Sequence, residues 1–80
     1  MNRYIAAFHT HLSAMRTYRA LTAAGRDAKM APVPRALSSS CGTCVYYSGE
    51  DEALCCMDAD YDYIVKVMQD GRYEPVIKAE

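Results

Sequence analysis

The 80-residue chain opens with a short apolar run followed by a helical repeat. Residues 4–9 are almost continuously apolar, which is typical of a strand that is covered on both faces or lies at the centre of a sheet. Thr10 then offers an N-cap, apolar residues recur every three or four positions, and Gly25 supplies a stop signal. The pattern predicts a strand and then a helix over roughly residues 11–24.

Two more strands are predicted in the middle of the chain. Residues 28–33 alternate weakly between apolar and polar, and Pro32 lacks a backbone donor, so this strand belongs at a sheet edge. Residues 43–48 are rich in β-branched and aromatic side chains, which favour a strand. A polar turn follows it.

The second half of the chain predicts another helix and a last strand. Residues 53–57 are five apolar residues that fit either a short extra strand or the first turn of a helix, and we favour the strand. A second helix is predicted from apolar residues at i, i+3, i+4 and i+7, with Gly71 ending it: Tyr61, Ile64, Val65 and Met68. Residues 73–78 then form a strand, which Pro75 assigns to an edge.

This order of elements, βαββαβ, predicts an α+β fold with one domain over residues 1–80. It is the ferredoxin-like split βαβ sandwich, an antiparallel sheet with two helices on one face and strands one and three in the middle. The short strand at residues 53–57 would be an addition to that pattern.

Composition and charge restrict the function classes. Apolar residues make up 51% and charged residues 24%, as in ordinary globular domains, and no apolar run reaches the roughly 20 residues of a membrane span. We therefore expect a cytoplasmic protein without membrane association. Residues 1–40 carry six Lys or Arg against one acid, and residues 41–80 carry three against nine. Within one domain these charges neutralise each other, and no basic and aromatic residues alternate, so nucleic-acid binding is not expected.

Cys41 is the main candidate for chemistry. Prolines, Arg35 and a run of hydroxyl side chains precede it, and Gly42 follows with its wider choice of backbone conformation; the hydroxyls belong to Ser38, Ser39 and Ser40. Antiparallel pairing of strands one and three brings His9 to the same sheet edge as Cys41. The helix that begins after Thr10 starts there too, and its positive end favours an anion such as a thiolate.

The other cysteines leave alternatives open. Cys44 completes a C-x-x-C with Cys41, but such redox pairs usually begin a helix, and this one enters a strand, so Cys44 either acts with Cys41 or packs in the core. Cys55 and Cys56 would face opposite sides of a strand. A zinc site formed by Cys41, Cys44, Cys55 and Cys56 is an alternative, although the spacing departs from two separated C-x-x-C pairs. No cofactor is expected otherwise.

Tyrosine is the dominant aromatic residue, with seven tyrosines against one phenylalanine. Four of them could form one partly polar surface for a homodimer or another partner: Tyr46, Tyr47, Tyr61 and Tyr63. The alternative is that they line the margin of a small core.

The N-terminal strand ending in Phe8-His9-Thr10 and the later segment P-x-P-R-x-L-S-S-S-C-G over residues 32–42 resemble the selenium/sulfur carrier protein-like family. Its members are small, cytoplasmic, mostly bacterial domains. The resemblance covers residues 3–49 by sequence, and it implies that Cys41 is the carrier cysteine, with Arg35 and the serine-glycine loop around it. Cys44 and the apolar stretch at residues 53–57 depart from the pattern.

The leading hypothesis is a carrier rather than an enzyme. Cys41 would accept sulfur or selenium from a donor protein as a persulfide or selenosulfide and pass it to an acceptor protein, with His9 moving a proton. The alternatives are a regulatory or interaction module without thiol chemistry, and the zinc-stabilised domain.

Overall fold

The computed structural model describes residues 1–37 and 41–78. Within them the chain forms one α-helix and five strands, and a short 3-10 turn lies at Leu54–Cys56. The elements in chain order are β1 (Asn2–Phe8), α1 (His11–Ala23), β2 (Ala28–Pro32), β3 (Thr43–Gly49), β4 (Tyr61–Val67) and β5 (Tyr73–Lys78). All paired strands are antiparallel, and they form one sheet in the order β2-β3-β1-β4-β5.

The pairing of the first and third strands is confirmed. β1 lies antiparallel to β3, with Ala7 opposite Cys44, so the end of β1 meets the start of β3. Both proline-containing strands lie at sheet edges, β2 with Pro32 on one side and β5 with Pro75 on the other. An edge strand has one row of backbone groups facing away from the sheet, which is where a missing donor is tolerated.

The predicted second helix is wrong, because residues 61–67 form β4. Five of the seven residues of this segment are β-branched or aromatic, and such side chains favour an extended backbone. Ile64 and Val65 matched one helical face in sequence, but in the strand they point to opposite sides of the sheet and enter two different cores. The fold is therefore α+β with one helix and five strands, and the two-helix ferredoxin-like arrangement does not form.

The predicted extra strand at residues 53–57 is also wrong. β3 already pairs with β2 on one side and β1 on the other, so it has no open edge for a hairpin partner. Ala53 instead adopts a left-handed backbone, with φ +54°, and begins the 3-10 turn. The turn packs beside α1, where the backbone N–H of Asp58 donates to Thr17 Oγ1 at 2.9 Å.

Apolar side chains are buried on both faces of the sheet. The helix-side core contains nine buried residues: Tyr4, Ala6, Phe8, Ala14, Leu21, Val45, Tyr47, Ala53 and Ile64. The opposite face buries Ile5, Cys44 and Val65. Val33 and Leu37, from the segment that follows β2, pack on this second cluster together with flanking aromatic residues.

A single surface of four tyrosines does not form. Tyr47 is buried in the helix-side core and Tyr61 packs against that core, whereas Tyr46 and Tyr63 pack on the second cluster. The alternation of side chains along a strand separates Tyr46 from Tyr47. Three of these tyrosines therefore pack at the margins of two cores, and Tyr47 lies inside one of them.

Candidate functional site

Cys41 lies in the turn that leads into β3, and its side chain is half-buried. Its Sγ is 3.1 Å from the carbonyl oxygen of Phe8, the last residue of β1, and 3.3 Å from that of Thr43. Both oxygens are acceptors, so the thiol donates its one proton between them. The side chain packs against the helix-side core. The β1–β3 pairing thus fixes the position of this sulfur.

Gly42 gives the turn a conformation that other residues rarely adopt. Its φ is +73°, and nothing lies within 4 Å of the position that a Cβ would occupy. The glycine is therefore needed for the backbone angle rather than for close approach. Its carbonyl accepts a hydrogen bond from the N–H of Val33 at 3.1 Å, which ties the turn to the end of β2.

Cys44 lies on the other face of the sheet from Cys41. It is fully buried in the second cluster, and its Sγ is 3.7 Å from the carbonyl oxygen of Pro32. Burial raises the pKa of Cys44 to about 11, with a smaller contribution from nearby Cys41. At neutral pH Cys44 is therefore an uncharged thiol that solvent does not reach. The C-x-x-C segment therefore does not present two thiols on one surface.

We expect this buried thiol to make folding stability fall at alkaline pH. An unfolded chain ionises Cys44 near its ordinary pKa of 9.0, whereas the folded chain keeps the proton until about 11. Between these values the folded state binds more protons than the unfolded one, so the free energy of unfolding decreases as the pH rises. The contribution is about 1–2 kcal/mol after allowance for solvent screening.

Urea unfolding of the wild type and of Cys44→Ala between pH 8 and pH 11 measures this contribution. The two proteins share every other titrating group, so the stability difference between them should shrink as the pH rises. A constant difference would show that Cys44 ionises equally in both states.

His9 and Thr10 follow β1 at the same edge, as predicted, and His9 contacts residues at the start of β4. His9 Nε2 lies 4.0 Å from Asp62 Oδ1, and the His9 backbone N–H donates to the carbonyl of Asp60 at 3.3 Å. β4 flanks β1 on the side opposite β3. Cys41 and His9 therefore share an edge, and the contacts of His9 with Asp60 and Asp62 lie on the β4 side of β1.

A carboxylate occupies the N-terminus of α1. Thr10 is the N-cap, and its Oγ1 accepts from the N–H of Ser13 at 3.2 Å. Asp60 Oδ2 accepts hydrogen bonds from Thr10 Oγ1 at 3.2 Å and from Ser13 Oγ at 2.9 Å. Negative charge is favourable at this end of a helix. The anion that the structure places beside the helix start is thus Asp60.

Removing this cap should destabilise the protein measurably. We expect Thr10→Ala to lower the free energy of unfolding by about 1 kcal/mol, because Ser13 N–H loses its acceptor and Asp60 loses a donor. Thr10→Ser keeps the hydroxyl and is the matched control. Equal stabilities of the Ala and Ser variants in urea unfolding would contradict the capping role.

A family model described as "Putative Se/S carrier protein-like" matches residues 3–75. The chain belongs to this family. The match continues through β4 and into β5, beyond the residues 3–49 on which the resemblance was based. Searches of curated proteins and of solved structures give no match.

The family's description points to carriage of selenium or sulfur, and a carrier works between donor and acceptor proteins. The sequence analysis also named Arg35 and three serines as site residues of this Se/S carrier-like chain. Arg35 is exposed in the segment after β2, while Ser38, Ser39 and Ser40 lie outside the described residues. No helix of the described residues is long and apolar enough to cross a membrane.

The four thiols of this carrier-like chain do not converge. Cys41 and Cys56 pack against the helix-side core, Cys44 belongs to the other cluster, and Cys55 is exposed. Over residues 1–37 and 41–78, which include all four cysteines, no three His, Cys, Asp or Glu side chains are grouped so as to hold a metal ion.

Asp60 is the residue that sequence reasoning did not place at the carrier-like site. It is separated from Ser13 by 47 positions in the chain. Its sequence context carries no sign of the contact, because the contact depends on how the segment before β4 crosses the end of β1.

Proposed function

We propose that this protein carries sulfur or selenium on Cys41, as a persulfide or selenosulfide, between a donor and an acceptor protein. The observation that carries the proposal is the difference in exposure between Cys41, in the turn before β3, and Cys44, within β3. Cys41 is half-buried at a sheet edge in the family's cysteine segment, whereas Cys44 is sealed and has a raised pKa. Of this pair, Cys41 is the thiol a partner can reach.

The loading step is a transfer of one sulfur atom without net oxidation. The sulfur of Cys41 attacks the outer sulfur of a donor persulfide, and the donor's S–S bond breaks as a new S–S bond forms on Cys41. The donor cysteine leaves as a thiolate and takes up the proton that the Cys41 thiol gave up. Delivery to an acceptor cysteine is the same exchange with Cys41 as the leaving group. A selenosulfide follows the same balance.

Attack requires the Cys41 side chain to change its contacts. A thiolate has no proton to donate, so ionisation ends its hydrogen bonding to the Phe8 and Thr43 carbonyls. Two carbonyl oxygens are also poor neighbours for an anion. The reacting sulfur therefore turns away from these carbonyls and toward the partner, and the resting contacts hold the thiol until then.

The neighbouring residues have supporting roles in this proposal. His9, on the same edge, accepts the proton in a step that needs its ring to leave Asp62. Thr10 fixes where α1 begins and so places His9. Gly42 shapes the turn, Arg35 attracts an acidic partner surface, and hydroxyls of the serine loop, Ser38, Ser39 and Ser40, solvate the anion. A reducing compartment such as the cytoplasm keeps the thiol available.

The test is a loading experiment followed by a transfer experiment. The protein is incubated with a cysteine desulfurase and cysteine, without reducing agent, and its intact mass is measured. We expect a gain of one sulfur atom per chain that peptide mapping assigns to Cys41, and loss of that mass when a thiol acceptor is added. Absence of the gain, or its assignment to another cysteine, would contradict the proposal.

A further inference from the structure

A second pair of thiols lies on the 3-10 turn, away from the segment that contains Cys41. Cys55 is exposed and Cys56 is half-buried against the helix-side core. The two are consecutive in the chain and belong to the same 3-10 turn, Leu54–Cys56. Neither thiol has a part in the transfer proposed for Cys41. The pair is therefore a separate chemical feature of the surface.

Hydrogen bonds and an ion pair hold the chain on both sides of this turn. Before it, Arg26 forms an ion pair with Asp51, and Tyr47 Oη donates to the carbonyl of Glu52 at 2.6 Å. After it, the N–H of Asp58 donates to Thr17 Oγ1 at 2.9 Å. Two thiols on a fixed turn lose little conformational freedom when one ligand binds both, which favours chelation.

The same geometry disfavours a direct disulfide. Consecutive Cα atoms across a trans peptide are about 3.8 Å apart, whereas disulfide-linked residues usually have Cα atoms about 4.4–6.8 Å apart. None of the described residues follows a cis peptide bond. A bridge that inserts one larger atom between the sulfurs closes a wider ring and fits two adjacent side chains better than an S–S bond.

We propose that Cys55 and Cys56 form a dithiol site that chelates a trivalent thiophilic atom of the arsenite or organoarsenical class. With an arylarsenic oxide, both S–H bonds break and two As–S bonds form, while the oxide oxygen leaves as water with the two thiol protons. Arsenic stays trivalent, so no oxidant or reductant is needed. Leu54, 46% exposed beside the pair, offers an apolar contact for an aryl group.

The other dithiol in the chain does not compete in the folded protein. Cys41 and Cys44 are separated by two residues, but they belong to the two faces of the sheet, and Cys44 is fully buried. One atom cannot bridge them without disrupting β3. Burial, and then the neighbouring Cys55 thiol, raise the pKa of Cys56, so Cys56 supplies one of the two protons that leave with the water.

Native mass spectrometry with phenylarsine oxide tests the site. We expect the wild type to bind one phenylarsenic group per chain, resistant to excess monothiol and removed by dithiothreitol. Cys55→Ser should bind at least about 100-fold more weakly, because the single thiol that remains, Cys56, cannot chelate the arsenic. Cys56→Ser, which is less exposed, serves as the second variant, and circular dichroism checks that both are folded.

Cys41→Ser and Cys44→Ser are the matched controls and should bind like the wild type. Full binding by Cys55→Ser and Cys56→Ser, or loss of binding in Cys41→Ser, would overturn the assignment. The proposal is independent of sulfur carriage: a protein that fails to load sulfur on Cys41 should still bind the arsenical, and failure to bind leaves the loading result unaffected.

Discussion

Cys41→Ser should abolish sulfur loading, whereas Cys44→Ser should leave it intact. The serine hydroxyl at position 41 still donates to the Phe8 carbonyl, so we expect its free energy of unfolding to stay within about 1 kcal/mol of the wild type. Loss of loading then reports the chemistry of the sulfur and not the fold. Intact mass after incubation with desulfurase and cysteine measures the effect.

Cys44→Ser is the matched control, because it makes the same chemical change three residues away. The sulfur it removes is buried and uncharged at neutral pH, so it cannot reach a donor. Cys55→Ser controls for reaction at an exposed thiol. Equal loading of Cys41→Ser and the wild type would refute the carrier hypothesis.

The same variant separates a carrier from a regulatory or interaction module. If the protein acts only by binding a partner through its surface, Cys41→Ser keeps that partner and its effect. If it carries sulfur, Cys41→Ser still docks on the donor but transfers nothing. Measuring complex formation and transfer on the same samples distinguishes docking from chemistry.

The sequence alone predicted the part of the fold that places Cys41. The apolar run at residues 4–9 and the aromatic and β-branched run at residues 43–48 are local signals, and antiparallel pairing between them follows from chain order. The end of one strand therefore had to lie beside the start of the other. The contact between Cys41 and Phe8 is a direct consequence of that pairing.

The second half of the chain was predicted less well, because its pattern fits two periods at once. Ile64 and Val65 match a helical stripe, but they also suit a strand that is buried on both sides. Whether the segment forms a helix or a strand depends on whether the second face of the sheet also buries a core. That second core uses Ile5, Cys44 and the segment containing Leu37, which no local pattern connects to residue 65.

The environment of the helix start was also beyond local prediction. An open helix N-terminus attracts a thiolate, which is why Cys41 was expected to gain from it. Asp60 already occupies that position through two hydroxyl contacts. In the transfer that we propose, the reacting sulfur is therefore stabilised by groups other than the start of α1.

Ile5→Ala should cost about 2–5 kcal/mol of stability, as a substitution in the helix-side core would. Ile5 is 1% exposed on a sheet face that no α-helix of the described residues covers. Its burial comes from the sheet itself, from neighbouring aromatic side chains and from Val33 and Leu37, which pack on the cluster from the segment before Cys41. Small domains are stable by only about 5–15 kcal/mol, so this is a large fraction of the total.

Val76→Ala is the control, because Val76 is 38% exposed on the edge strand β5 and should change stability by about 0.5 kcal/mol or less. Urea unfolding followed by circular dichroism measures both variants. A cost for Ile5→Ala as small as that for Val76→Ala would mean that the second cluster is not packed in solution. The segment leading to Cys41 would then lack its anchor on the sheet, and the turn would be held by the contacts of Cys41 with the Phe8 and Thr43 carbonyls and by the hydrogen bond between Gly42 and Val33.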